Sequence, residues 1–312
     1  MPEEMPPVLV VYGALRSGTT LLRLMLDGHS RLSCPGEADF LADFLSGEPG
    51  SFTINGKELG ENRIFKASGV IHDPILPAEE AVRSMARQMR GGSGRTLVIM
   101  VHRNLSNLLH IFPEARVLHV LRDPRDVARS SIGMGWSGNT FFGVDHWIRT
   151  EDEWGRTVET ARPFASQVLR YEDLIRNPRH ELEGLCRFIG LEYEDEMLSY
   201  PRRTTYDLPD LSLMEQWKTK QGGTEIALVE GKIGSRLESR GYRKSGLAPL
   251  VPGRLRRLGL ALENRTSIWL RKFRRFGVID PLLVGLARRL HRPDLARKAQ
   301  RRIDVITISQ LK

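Results

Sequence analysis

Four short apolar runs punctuate the first half of the chain: Pro7–Tyr12 (PVLVVY), Thr96–Val101 (TLVIMV), Arg116–Leu121 (RVLHVL) and Gln167–Tyr171 (QVLRY). Each is rich in β-branched residues and too short for a typical helix, so each is predicted as a buried strand. Between them the apolar positions change period. Over Glu79–Arg90 and Leu174–Ile189 they recur at helical spacing, the second through Leu174, Leu182, Leu185, Phe188 and Ile189. Trp147 and Trp154 fall on one face of a further helix and are expected in the core. Such alternation predicts an α/β fold, a parallel sheet flanked by helices on both faces. Gly47–Gly60 reads as a loop, and Gln221–Thr224 (QGGT) separates Trp217 from a helix ending near Gly241.

Composition changes this picture in one place. With 312 residues, 40% hydrophobic and 27% charged, the chain can bury a full core and reads as ordinary globular material. The net charge of +9 is uneven. Residues 248–312 hold 16 Lys/Arg against 4 Asp/Glu, whereas the preceding 247 residues hold 31 against 34. The basic character therefore belongs to the tail, which gives no reason to expect nucleic-acid binding by the body. The expected division is a main domain over 1–247 and a basic helical extension over 248–312. No run approaches the roughly 18–20 apolar residues of a membrane span. The start, MPEEMPPVLVVYG, is acidic where a signal peptide would be basic, so a cytoplasmic protein is expected. Cys34 and Cys186 lack metal-ligand spacing and are expected as reduced thiols.

The first strand runs into Gly13-Ala-Leu-Arg-Ser-Gly-Thr-Thr20 and then the helical LLRLMLDGH. A glycine turn between a strand and a helix N-terminus exposes unpaired backbone N–H groups at the positive end of the helix dipole, which suits a phosphate. The spacing is that of a P-loop, Gly-x4-Gly-Lys-Ser/Thr, with Thr19 in place of the lysine and the cation moved inside the loop as Arg16. Without that lysine, and with no convincing strand Asp for Mg²⁺, nucleotide hydrolysis is disfavoured and no metal is expected. A second anchor follows in RVLHVLRDPRDVARSS (Arg116–Ser131). Arg122 lies at the carboxyl end of a predicted strand, where ligands collect in open α/β sheets. Ser130 lies two turns into the helix opened by Asp123-Pro124. Arginine and serine so placed suit a second phosphate; a surface Arg122–Asp123 ion pair is the plainer alternative.

Together these segments resemble PAPS-dependent sulfotransferases, enzymes that use 3'-phosphoadenosine 5'-phosphosulfate (PAPS) as donor. GALRSGTTLLRLMLDGH is similar to their 5'-phosphosulfate loop and VLRDPRDVARSS to their 3'-phosphate motif. The first, extended through Cys34-Pro-Gly-Glu37, most resembles tyrosylprotein sulfotransferases and related bacterial enzymes. Val168–Pro178, Arg187–Leu191 and Trp217 through Gly241-Tyr242 follow in matching order, so the resemblance covers residues 8–243. It implies that Ser17, Gly18, Thr19 and Thr20 hold the 5'-phosphate and that Arg122 and Ser130 hold the 3'-phosphate. Tyr171 and Trp217 would wall the nucleotide, although both suit a core equally.

Sulfuryl transfer needs an in-line arrangement, stabilised charge and a base. Arg16 is the expected stabiliser of the sulfuryl. Glu37 matches the position of the tyrosylprotein sulfotransferase base, and partial desolvation raising its pKa would make it more effective. It could instead be the first acid of a helix over Ala38–Leu45. His29 and Asp39 are rival bases, although His29, at the end of the first helix, suits a capping role. The family's Lys-x-Pro element is replaced by Met100-Val-His-Arg-Asn104, leaving His102 or Arg103 to substitute. The acceptor is a hydroxyl of a carbohydrate, a lipid or a phenolic or tyrosyl group, and the aromatic, glycine-rich Gly133–Gly143 is a candidate for its wall. The tail, with apolar residues interleaved among arginines, suits a helical cap, a homo-oligomer contact, an anionic membrane surface or an anionic polymer. Rival functions are a P-loop nucleotide kinase-like phosphotransferase and a non-catalytic membrane-docking nucleotide-binding protein.

Overall fold

The computed structural model describes residues 7–92, 94–290, 292, 300, 302 and 303. The acidic start at Glu3 and Glu4 and most of the tail after Leu290 lie outside the described residues. Five strands form a parallel sheet: β1 (Val8–Gly13), β2 (Leu32–Ser33), β3 (Thr96–Val101), β4 (Arg116–Leu121) and β5 (Ser166–Arg170). Their order is β2-β3-β1-β4-β5. The four longer strands fall within one residue of the predicted runs. Two residues of β2 are too few for any periodicity to reveal. The strand β5 departs from the expectation of full burial, because it closes the sheet edge and leaves Val168 50% exposed.

The connections are helical: α1 (Thr19–Leu26), α2 (Ala78–Arg90), α3 (Leu105–Ile111), α4 (Pro124–Gly133), α5 (Asp145–Thr160), α6 (Tyr171–Arg176) and α7 (Pro178–Ile189). The helical pattern read over Leu174–Ile189 is thus two helices. Pro178 removes a helical N–H and excludes Asn177 from the α region, so one helix ends and the next begins there. The supposed loop Gly47–Gly60 contains a short strand, Thr53–Ile54, paired antiparallel with Leu45–Ser46, and runs into the helix Gly56–Glu61.

Successive residues of β1 enter opposite cores. Val8, Val10 and Tyr12 pack with Val82 and Met85 of α2 and Leu105 and Leu108 of α3. Leu9 and Val11 pack with Leu22 and Met25 of α1 and Leu182 and Leu185 of α7. Both faces are covered, as a parallel sheet requires. Trp147 and Trp154 are buried as expected, Trp154 stacking on His119 at 4.0 Å between ring centroids.

The chain divides into two compact units, one running to Val127 and resuming over His146–Thr219, the other Ala128–Asp145 and the chain from Lys220 onward. The sequence boundary at 247/248 falls inside the second unit. That unit contains α8 (Gly223–Ile233), α9 (Arg254–Phe276) and α10 (Ile279–Arg289). Within it Asn264 accepts from Gly138 N (2.6 Å), Asn139 donates to the Leu260 carbonyl (2.9 Å), and Arg271 donates to the Ile132 carbonyl. Phe141 is buried and Lys232 lies over its ring, so much of Gly133–Gly143 is packed within this unit. No helix among the described residues is long and apolar enough to cross a membrane.

One close approach fixes the turn after α1. A Cβ on Gly28 would lie 2.5 Å from the Glu196 carbonyl and 2.6 Å from Met197 Cα. Gly28→Ala should therefore destabilise by about 1–3 kcal/mol, because backbone cannot yield as a side chain does. Gly155→Ala, in α5 with nothing within 4 Å, should be neutral or gain up to about 1 kcal/mol. Urea denaturation of both variants checks the contrast.

Candidate active site

Parallel strands deliver their following residues to one edge of the sheet, and the register orders them there. Tyr12 pairs with Val101 on one side, Gly13 with Val120 on the other, and Leu121 with Arg170. His102, the loop after Gly13, Arg122 and Tyr171 therefore emerge in sequence, one strand spacing of about 4.8 Å apart. Glu37 joins this row through an isolated parallel bridge to Met100, with Ala38 N donating to the Met100 carbonyl at 2.9 Å. Residues separated by more than a hundred positions thus share one edge.

The loop has an unusual backbone. Arg16 adopts φ 72°, a left-handed conformation disfavoured for non-glycine residues, and Gly18 adopts φ 87°. Gly18 is required twice over, because a Cβ there would lie 2.2 Å from the Tyr171 ring. Ser17 N donates to the Ala14 carbonyl (3.1 Å) and His146 bonds the Leu15 carbonyl (2.9 Å), bracing the turn. Helix α1 then begins at Thr19 with no side-chain cap, so its first N–H groups face the loop. Ser17 Oγ is buried without a hydrogen-bond partner. Burial, and then the neighbouring Arg122 charge, pull the Arg16 guanidinium below its ordinary value.

Arg122 ties the anchors together. It donates to the Arg16 carbonyl (3.0 Å) and the Leu213 carbonyl (2.9 Å), lies 4.2 Å over the Tyr171 ring, and keeps a buried Nε without a partner. Its own carbonyl accepts from the Trp147 indole at 3.1 Å. The surface Arg122–Asp123 pair considered from sequence does not form, because Asp123 instead pairs with Arg125 at 2.6 Å. Arg125 lies 3.5 Å over the Trp217 ring, and Trp217 N donates to Asp126 (2.8 Å). Trp217 is buried, with an indole N–H that has no partner. Ser130 lies further along α4, in the second unit.

At the other end, His102 Nδ1 donates to the Gly13 carbonyl at 2.7 Å. Its Nε2 is buried, lacks a hydrogen bond and faces Glu37 Oε1 at 3.8 Å. Asp39 accepts from His102 N (2.9 Å). The carboxylates of Glu37 and Asp39 and the His102 imidazole form one cluster, with an atom of each lying within 4.8 Å of the others. Burial by itself acts to raise the Glu37 carboxyl. The His102 imidazole outweighs burial and holds Glu37 below the ordinary carboxylate range. Burial pulls His102 down, but Glu37, Asp39 and the Gly13 carbonyl outweigh it and leave the imidazole raised. Asp39 is pushed up by burial.

The rivals fare differently. His29 is buried with both ring nitrogens engaged, by the Glu192 carbonyl at 2.9 Å and Arg31 N at 3.0 Å. Arg103 pairs with Asp43, leaving it committed to a carboxylate outside the row. The helix expected over Ala38–Leu45 spans only Phe40–Asp43. Sequence reasoning missed Arg125, Asp126 and Glu172, which accepts from Asp123 N at 2.9 Å. The repeated charges of RDPRD and YED were the available signal.

A family model described as "Sulfotransferase family" matches residues 7–195. The chain belongs to this family. The matched span includes the loop, Glu37, His102, Arg122 and Tyr171, and excludes Trp217 and the basic tail. The chain is 24% identical over 208 residues to a putative protein-tyrosine sulfotransferase of Caenorhabditis briggsae, covering 62% of this chain and 69% of the relative. It is 34% identical over 167 residues to the omega-hydroxy-beta-dihydromenaquinone-9 sulfotransferase of Mycobacterium bovis, covering 47% and 42%. Against several protein-tyrosine sulfotransferases the chain spans 54–69% of the relative's length. The fold is shared with the sulfotransferase domain from the curacin biosynthetic pathway at a TM-score of 0.56 and 18% identity, over 77% of this chain and 99% of that one.

Asp126 provides a test of the network under Trp217. Burial raises its carboxyl to about 6 from 3.8. A carboxyl raised in the folded state binds its proton more readily there, so it opposes folding above about 6, and the penalty fades as pH falls from about 6 towards 3.8. Asp126→Asn should stabilise the protein by on the order of 2 kcal/mol at pH 8. The advantage over wild type should shrink by pH 5, as urea denaturation at the two values will measure.

Proposed function

We propose that this protein transfers a sulfuryl group from PAPS to an acceptor hydroxyl. Buried donors without partners at this site carry this reading: Ser17 Oγ, Arg122 Nε and Trp217 Nε1. An orphaned buried donor or acceptor is expensive, and a ligand with phosphates at two ends would satisfy several at once. Family membership supports the same chemistry.

In this reading the N–H groups of Ser17–Thr20 and the dipole of α1 hold the 5'-phosphate, and Arg122 holds the 3'-phosphate. Tyr171 and Trp217 bound the adenine. Arg16 meets the sulfuryl oxygens as charge develops on them and on the bridging oxygen. The acceptor oxygen forms its bond to sulfur as the sulfur–phosphate oxygen bond breaks. The acceptor proton goes to Glu37, and the electron pair leaves with the 3',5'-bisphosphate. Glu37 is 47% exposed, which gives an incoming hydroxyl access. The relatives act, by their names, on protein tyrosine and on omega-hydroxy-beta-dihydromenaquinone-9, so the acceptor class is left as a hydroxyl.

A specific observation favours a membrane surface as partner of the extension 248–312. On α9, Leu255, Leu258 and Leu262 share one face and are 86%, 67% and 65% exposed, beside the exposed Arg254, Arg257 and Arg265. Apolar residues flanked by arginine suit an anionic lipid interface, where each basic residue contributes about 1 kcal/mol. The protein is then peripheral, on the cytoplasmic side.

Incubation with labelled PAPS and a panel of tyrosine peptides, phenols, glycans and lipids should label an acceptor. Failure to bind either PAPS or its bisphosphate product would overturn the proposal, and Mg²⁺-dependent ATP turnover would replace it with the phosphotransferase reading. Glu37→Gln should lower kcat by about 10²–10⁴-fold with bisphosphate affinity held within about two-fold. For the tail, Leu255→Ser with Leu258→Ser should weaken co-sedimentation with phosphatidylserine vesicles about ten-fold or more. A loss of self-association instead, seen by analytical ultracentrifugation, would make the face a dimer contact.

A further inference from the structure

The Lys-x-Pro lysine is replaced here by a stretch offering two cationic candidates, and the geometry separates them. The Arg103 guanidinium is committed to Asp43, whose second contact is Asn104 at 3.0 Å. His102 is committed on one side only. Its Nδ1 must carry hydrogen, because the Gly13 carbonyl at 2.7 Å only accepts. In the neutral ring Nε2 is then a lone pair. That lone pair is buried, has no hydrogen bond, and points at the Glu37 carboxylate, another acceptor, 3.8 Å away. Two acceptors facing one another across such a gap repel, so the pair gains by taking up one proton. Nothing else in the ring's setting allows it to turn away. The backbone N–H of His102 is held by Asp39, its carbonyl accepts from Thr150 at 3.3 Å, and its side chain is only 4% exposed.

We infer that Glu37 and His102 act as one base, Glu37 Oε1 receiving the acceptor proton and Nε2 of His102 holding it. The inference rests on the proposed sulfuryl transfer and assigns the fate of its proton. The acceptor O–H bond breaks and the O–S bond forms. The proton crosses Glu37 to Nε2, leaving an imidazolium beside a regenerated carboxylate, while the bisphosphate departs with the electrons of the broken S–O bond. His102 acts through Glu37 and not on the donor. The division suits the titration of the pair: Glu37 is held low and His102 is raised, so a shared proton rests on the imidazole. Other charges facing the pair are Asp39 and Arg103 on its own side, Arg63 from the helix Arg63–Ser68, and Arg16 from the loop.

The pH profile of kcat/KM distinguishes this from a bracing role. The wild type should lose activity as pH falls through a limb above 6.5, the ordinary value for histidine, because the imidazole must be neutral to receive the proton. His102→Gln should bind the bisphosphate with unchanged affinity, lower kcat about ten- to a hundred-fold, and lose that limb. Glu37→Gln removes the carboxylate that raises the imidazole, so any residual limb should move to lower pH. An unchanged acidic limb or an unchanged kcat in His102→Gln overturns the inference. Should the variants fold poorly, NMR titration of His102 in the wild type gives the same answer: an imidazole titrating below 6.5 overturns it. Absence of any transfer from PAPS would instead defeat the proposed function, and the NMR titration would remain readable.

Discussion

Arg122 donates one hydrogen bond to the carbonyl of Arg16, and much of the site depends on that contact. It joins the end of β4 to the loop after β1, two segments the chain visits a hundred residues apart. The guanidinium also covers the Tyr171 ring, which in turn leaves room at position 18 only for glycine. The left-handed turn at Arg16, disfavoured by itself, is thus held from both sides. A charged group fixed by neutral carbonyls keeps its charge available to a ligand, unlike Arg125 or Arg103, whose carboxylate partners neutralise them.

The sheet order converts this local arrangement into a row. Glu37 and His102 stand at one end, the loop in the middle, Arg122 and Tyr171 at the other. On the proposed reading, chemistry and nucleotide recognition are separated along the edge, with Arg16 between them. The two ends also differ in kind. The Glu37 end carries the opposed acceptors and the exposed carboxylate, whereas the Arg122 end is cationic, aromatic and half-buried.

Much of this was legible in the sequence because it is local. The strand runs gave β1, β3 and β4 almost to the residue, and the glycine, cation and threonine order gave the loop. What escaped was set by pairing between distant segments. The strand β2 carries too few residues for a pattern, yet its successor Glu37 reaches the row only by bridging Met100. The depressed Glu37 carboxyl could not be foreseen, since His102 lies 65 positions away in the chain. The break at Asn177-Pro178 was local and readable, but the apolar period across it continued and masked it. Trp217 shows the reverse error of emphasis: read as either core or wall, it is buried yet presents an unsatisfied indole N–H.

The wedge of Tyr171 against Gly18 has a consequence for association kinetics. A cradle whose backbone is locked when the protein folds needs no ordering when a ligand arrives, so the entropy of forming the turn is charged to folding. Capture of an anion then requires no loop-closing step, and its rate is set by encounter and by the field of Arg16 and Arg122. Such a rate falls with ionic strength and, being set by encounter, falls in inverse proportion to solvent viscosity.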